Sequence, residues 1–202
     1  MIKVLPTYET VVNDDDLGIT AISLVDNPAM EKYFQMYATQ QLFRVENEEQ
    51  KIITGVLIVA DMPIYRRDEK LGEYYQVFTK PVIRIMTEKM LRDNVFNNIN
   101  LMHNPNNTTN DVQLVEVFIK DTKKGINPTH FEDVSDGSMF VSYKVHNEEL
   151  WQEIKKGEFK GFSLEGLFRF NDRLTEEKKK QKEMKELSIL KQLIREKIMN
   201  NK

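Results

Sequence analysis

Lys160-Gly161-Phe162-Ser163-Leu164-Glu165-Gly166-Leu167-Phe168 sets a serine between two glycines at the start of an apolar run. Well upstream, Leu101-Met102-His103-Asn104-Pro105 ends another apolar run on a histidine. A serine hydroxyl is a poor nucleophile at neutral pH and needs a base, usually His, and a third group that orients the base. It also needs N–H donors aimed at the developing oxyanion. Gly161 and Gly166 would let backbone approach a substrate closely. Ser163 is therefore the candidate nucleophile and His103 the candidate base. Gly-x-Ser-x-x-Gly alone is a weak motif, since a serine near glycines is more often structural than catalytic.

Outward from this stretch, Asn147 caps a short helix over 148–156, with acids at its start, lysines at its end and Gly157 as its stop. Ser138–Val145 alternates as a half-exposed strand, and Val112–Ile119 is a clear strand with Glu116 in its middle. Polar loops are expected over 104–110 and 120–136. Thr87 can cap a helix reaching Asn98, after which Ile99–His103 reads as a strand. Tyr74–Phe78 is a short aromatic strand. Ile52–Ala60 is almost continuously apolar, which predicts burial on both faces, with Gly55 marking a bulge or bend. Residues 29–50 read as a helical turn or two and a polar connection. Ile19–Val25 is a β-branched run stopped by Pro28, and residues 2–12 form an N-terminal strand.

From Leu174 the composition changes. A charged stretch precedes Met184, Leu187, Leu190, Ile194 and Ile198, an apolar stripe at helical spacing. The expected organisation is a domain over 1–172, completed by the strand at 19–28, and a charged amphipathic helical tail over 173–202.

The 202-residue chain is 40% hydrophobic and 30% charged, with a formal net charge of −3 that argues against a general nucleic-acid binder. The absence of Cys removes a thiol nucleophile, a disulfide framework and a Cys-based zinc site. His103, His130 and His146 lie far apart without i, i+4 pairing, so neither a metal nor a cofactor is expected. The N-terminus lacks a secretory apolar core, and no apolar stretch approaches the roughly 18 residues of a membrane helix, so an intracellular protein without membrane partners is expected.

Several carboxylates could orient His103. Glu116 is favoured, on the expectation that its strand pairs back along Ile99–His103. Glu165 shares a strand face with Ser163, two residues on, and could contact the site or only pair with Lys160 or Arg169. Asp26 and Asp61 follow apolar strands, a position usually explained by turn chemistry.

Taken together, these segments resemble the prohead (capsid-maturation) serine proteases of tailed phages, in particular the XkdF-like group, similar in fold to herpesvirus assemblin. The resemblance spans roughly residues 1–170 and rests on Ile52–Pro63, Phe78–Leu91, the histidine motif Asn100–Pro105, Val112–Asp121 and Phe140–Gly166 in that order. It implies an α+β fold with a mainly antiparallel, β-barrel-like core and flanking short helices. It also implies a Ser–His protease that cleaves the phage major capsid and scaffold proteins, and itself, inside the prohead in the bacterial cytoplasm. Ser163 carries over as nucleophile and His103 as base. In many prohead proteases a Ser-Leu-Val…Pro-Ala segment follows the nucleophile strand. Here Ser23-Leu24-Val25-Asp26-Asn27-Pro28-Ala29 lies near the N-terminus instead, which reads as a circular permutation. The third member of the site is then Glu116, with Asp26 second and Ser23 a supporting residue. Backbone N–H groups near Asn27–Ala29 or beside Ser163 would form the oxyanion hole. The tail would bind a scaffold helix or a second copy of the chain. The competing expectation is an inactive protease fold kept as a structural head component.

Overall fold

A computed structural model describes residues 5–12, 18–26, 43–69 and 71–172. Its strands are β1 (Thr7–Val11), β2 (Gly18–Val25), β3 (Phe43–Asn47), β4 (Ile52–Ile58), β5 (Ile64–Asp68) and β6 (Gly72–Val77). Helix α1 (Lys80–Arg92) follows, then β7 (Ile99–Leu101), β8 (Asn104–Thr108), β9 (Val112–Ile119) and β10 (Met139–Val145). Helix α2 (Glu148–Lys156), β11 (Gly161–Leu167) and β12 (Arg169–Asp172) complete the described chain.

The strands form three four-stranded sheets. The serine sheet runs β11-β2-β7-β8, the second sheet β3-β4-β10-β9, and the third β12-β1-β6-β5. Among the described residues only β1–β6 and β2–β7 pair in parallel. This is a mainly antiparallel α+β arrangement, but each sheet is open, with two edge strands, so the expected barrel does not close among the described residues. The tail over 173–202 and the stretch 27–42 lie outside those residues.

The serine and second sheets meet through large side chains. Phe162 of β11 packs its ring 5.5 Å from Phe43 and 5.4 Å from Tyr143. Tyr143 donates its hydroxyl to Phe96 O at 2.9 Å, and burial pushes its phenol well above the ordinary range. Ile22, Leu24 and Ile53 fill the same fully buried layer. The inward residues of β11 and β2 are thus the even-numbered ones, Phe162, Leu164, Ile22 and Leu24. Strand alternation puts Ser163, Glu165, Ala21 and Ser23 on the opposite face.

β4 is buried on both faces as its composition predicts. β10 is more enclosed than its alternation predicts, with every residue but Lys144 buried. It lies centrally in its sheet, its inner face against Phe162, and Phe140 on the outer face is covered by Phe131 at 5.2 Å and Phe118 at 5.3 Å.

Helix α1 starts earlier than expected. Thr79 is its N-cap residue and Pro81 occupies the first turn. Ile83, Met86, Thr87 and Met90 form its buried stripe. Thr87 is therefore interior, its hydroxyl donating to Ile83 O at 2.8 Å, and the helix ends at Arg92 before a 3₁₀ turn over Val95–Asn97. Helix α2 follows its sequence signals. Asn147 Oδ1 accepts Leu150 N–H at 3.0 Å. At the other end Glu158 N–H bonds Glu153 O and Gly157 N–H bonds Ile154 O, a Schellman closure with Gly157 at φ 79°. That closure delivers the chain to Lys160, whose N–H bonds Val25 O at 2.8 Å and whose carbonyl accepts Phe43 N–H at 3.3 Å, setting the start of the serine strand.

Candidate active site

Ser163 stands mid-β11 and is 5% exposed. Directly across the antiparallel pairing lies Ser23 of β2, and across the parallel pairing beyond it lies Asn100 of β7. The three side chains form one lateral row on the face of the serine sheet away from the core. Glu165, two residues along β11, lies opposite Ala21.

His103 reaches this face from a tight turn. Leu101 pairs with Asn104, so Met102 and His103 are the two loop residues of the β7–β8 hairpin, at φ 54° and 56°. Two-residue hairpins with both central residues at positive φ follow the strand twist, but favour Asn and Gly there. Met and His in that conformation carry a backbone cost that only a well-determined surrounding sustains. Two bonds hold the turn against β2: Met102 N–H donates to Leu24 O at 2.9 Å, and His103 N–H donates to Ser23 Oγ at 2.8 Å.

The His103 ring then meets Glu165. Nδ1 lies 3.0 Å from Glu165 Oε1, and the same oxygen accepts Asn100 Nδ2–H at 2.7 Å. A carboxylate only accepts, so the contact places the proton on Nδ1 and makes Nε2 of the neutral ring an acceptor. Nε2 makes no hydrogen bond among the described residues, and neither does Ser163 Oγ. The polarity is that of a serine-hydrolase relay, acid on Nδ1 and a free basic Nε2, with the serine hydroxyl on the same sheet face.

The acid beside the imidazole is therefore Glu165 and not Glu116. β9 does not pair along Ile99–Leu101, because β7 lies between β2 and β8 while β9 pairs with β10. Glu116 accepts from Ser142 Oγ at 2.9 Å. Ser142 points opposite to its neighbour Tyr143, which packs on Phe162, so Glu116 faces away from the serine sheet. There it joins Thr54, Phe118, His130 and Phe131 around a cavity of ≈ 780 Å³ remote from Ser163. Asp26 is exposed at the end of β2, its backbone N–H against Met102 Sδ at 3.4 Å. Ser23 holds the His103 backbone. Asn27–Ala29 lie outside the described residues.

Asn100 escaped the sequence reading although it opens the histidine motif. Its only sequence signal is a polar residue inside an apolar strand three positions before His103. Among the described residues no three His, Asp or Glu side chains converge as a metal site. No helix among them is long and apolar enough to cross a membrane.

A serine on a sheet and, on the same face, a histidine paired with a carboxylate are the residue types a serine-hydrolase site uses. The chain belongs to the family described as “Putative phage serine protease XkdF”, whose model matches residues 39–171 and so takes in His103, Ser163 and Glu165. β2, with Ser23, precedes the matched region. No curated protein and no solved structure matches the chain.

Proposed function

We propose that this chain is a serine endopeptidase that matures the phage head, cutting the major capsid and scaffold proteins, and itself, within the prohead. The observation that carries the reading is the contact of His103 Nδ1 with Glu165, two residues along β11 from Ser163 and on the same sheet face. Family membership supports the protease chemistry and the phage setting. In this reading β2 is the strand that in relatives follows the nucleophile strand, supplied here from the front of the chain, and the 173–202 tail docks the enzyme on scaffold or on a second copy.

Substrate binding brings His103 Nε2 within reach of Ser163 Oγ, a contact that commonly tightens only in the substrate complex. Oγ attacks the scissile carbonyl carbon as Nε2 takes its proton. Glu165 stabilises the resulting imidazolium, which then protonates the leaving amine. Water, deprotonated by the same Nε2, attacks the acyl-enzyme and frees Ser163.

The test is co-expression with the capsid and scaffold proteins encoded by the same phage. Ser163→Ala and His103→Ala should each abolish their processing. Unchanged processing in either variant would end the assignment.

A further inference from the structure

Asn100 is 2% exposed and lies in β7, the third member of the Ser163–Ser23 row. Its Nδ2–H donates to Glu165 Oε1 at 2.7 Å, the oxygen that also contacts His103 Nδ1. Its Oδ1 is the only buried side-chain polar atom without a hydrogen-bond partner among the described residues. Buried acceptors are seldom left unpaired, because they have lost water and gained nothing. Turning the amide over offers no relief, since Oδ1 would then face the Glu165 oxygen, acceptor against acceptor. A β-branched apolar residue suits a buried strand position and would leave no orphan atom. The one bond the Asn100 side chain makes among the described residues is to Glu165, so the unpaired oxygen is the cost of keeping that bond.

We propose that Asn100 is a positioning residue that fixes the Glu165 carboxylate for His103, an inference that rests on the protease reading above. The His103 side chain is 45% exposed and that of Glu165 26%, so solvent competes for their contact and neither is locked by packing. Glu165 has three side-chain torsions to restrain. A second donor on Oε1, coming from a rigid buried strand, fixes where that oxygen sits and thereby where Nε2 points.

The probes are a fluorophosphonate, which labels an activated serine without need of a known substrate, and the His103 Nδ1–H proton resonance. Asn100→Ala should slow Ser163 labelling on the order of 10- to 100-fold at every pH, as is common for residues that orient a functional side chain. Asn100→Asp should behave differently. Its carboxyl would share one proton with Glu165, as paired carboxylates do. While that proton is held it donates in place of the amide, so labelling stays near the wild-type rate. As pH rises and the proton leaves, labelling should fall to the Asn100→Ala rate. A merely structural Asn100 would produce no such descending limb. Wild-type labelling by Asn100→Ala, or a wild-type pH profile in Asn100→Asp, overturns the inference. The resonance separates the two levels of the argument. Present in the native chain and lost in Asn100→Ala, it supports positioning even if Ser163→Ala is labelled as fast as wild type and the protease reading fails. Retained in Asn100→Ala, it overturns the positioning role whether or not the chain cleaves anything.

Discussion

Glu165→Gln removes the charge beside His103 while keeping shape and one acceptor. At the observed 3.0 Å, unit charges interact by about 1.4 kcal/mol at the dielectric of water and about 5.5 kcal/mol at an effective value near 20. At about 1.4 kcal/mol per decade of rate, those bounds correspond to roughly 10-fold and 10⁴-fold. The pair is partly solvated, with side-chain exposures of 45% and 26%, so the loss should fall in the lower half of that span, on the order of 10²-fold. The neighbouring Asn100 amide faces either end of the glutamine, which also threatens the proton position on His103. Glu116→Gln is the matched control. Glu116 bonds Ser142 on the outer face of the second sheet, and its substitution should change the rate by less than about twofold, as expected for a charge screened from the site. Both variants are to be compared by fluorophosphonate labelling of Ser163 across pH 5–9. A wild-type rate in Glu165→Gln, or a loss in Glu116→Gln that matches it, would refute the assignment of the acid.

Two further predictions concern the 120–138 loop beside the second sheet. Lys120 is 1% exposed and its ammonium donates to Phe131 O at 2.8 Å and Glu132 O at 2.7 Å. Lys120→Met should cost about 2–3 kcal/mol in urea unfolding, because two carbonyls lose a charged donor, and an unchanged midpoint would contradict this. Asp136 is held below the ordinary carboxylate range chiefly by the Thr122 hydroxyl at 2.7 Å. A depressed carboxyl contributes stability that is present above its unfolded pKa and lost as pH falls through its folded one. Thr122→Val should raise the Asp136 titration toward the ordinary range and shrink that acid-side loss; an unmoved midpoint by NMR would count against the contact.

How much was legible follows from what each element must satisfy. β4, β9 and α2 are forced by local rules: runs rich in apolar and β-branched residues for the two strands, an Asn cap and a Gly stop for the helix. β8 carries Asn104-Pro105-Asn106-Asn107-Thr108, with no apolar residue at all. It is an edge strand, where Pro is tolerated and no face need be buried, so pattern reading returns a loop. β5, Ile64-Tyr65-Arg66-Arg67-Asp68, is hidden by its charges for the same edge reason. α1 was displaced because Thr87 and Thr79 are both admissible caps, and only the buried stripe Ile83–Met86–Met90 decides between them. Ser163 and His103 stand out in the sequence by residue type and context. Which carboxylate lies against the His103 ring does not, because Glu116 and Glu165 are equivalent until strand order is known. Glu165 has one local signal, its place two residues from Ser163.

Strand order also explains why β2 carries small residues at the site. β11 and β7 are separated by β2, so their axes lie two strand spacings apart, about 10 Å. Yet Asn100 on β7 bonds Glu165 on β11 at 2.7 Å, so the two side chains meet above β2. The β2 residues beneath them are Ala21, opposite Glu165, and Ser23, opposite Ser163. Anything larger at position 21 would occupy the space the contact crosses. Ala21→Leu should therefore part Glu165 from Asn100 and His103 while leaving the inward core residues Ile22 and Leu24 in place. The His103 Nδ1–H resonance should disappear and Ser163 labelling should fall by an amount similar to that in Glu165→Gln. Ile22→Val makes the contrast, since it trims a buried residue of the same strand on its inward face. It should lower stability by roughly 0.5–1.5 kcal/mol, as a modest core truncation does, and keep the resonance. If Ala21→Leu keeps both the resonance and the labelling rate, the carboxylate does not depend on a clear path over β2, and the lateral assembly of the site from three strands is wrong.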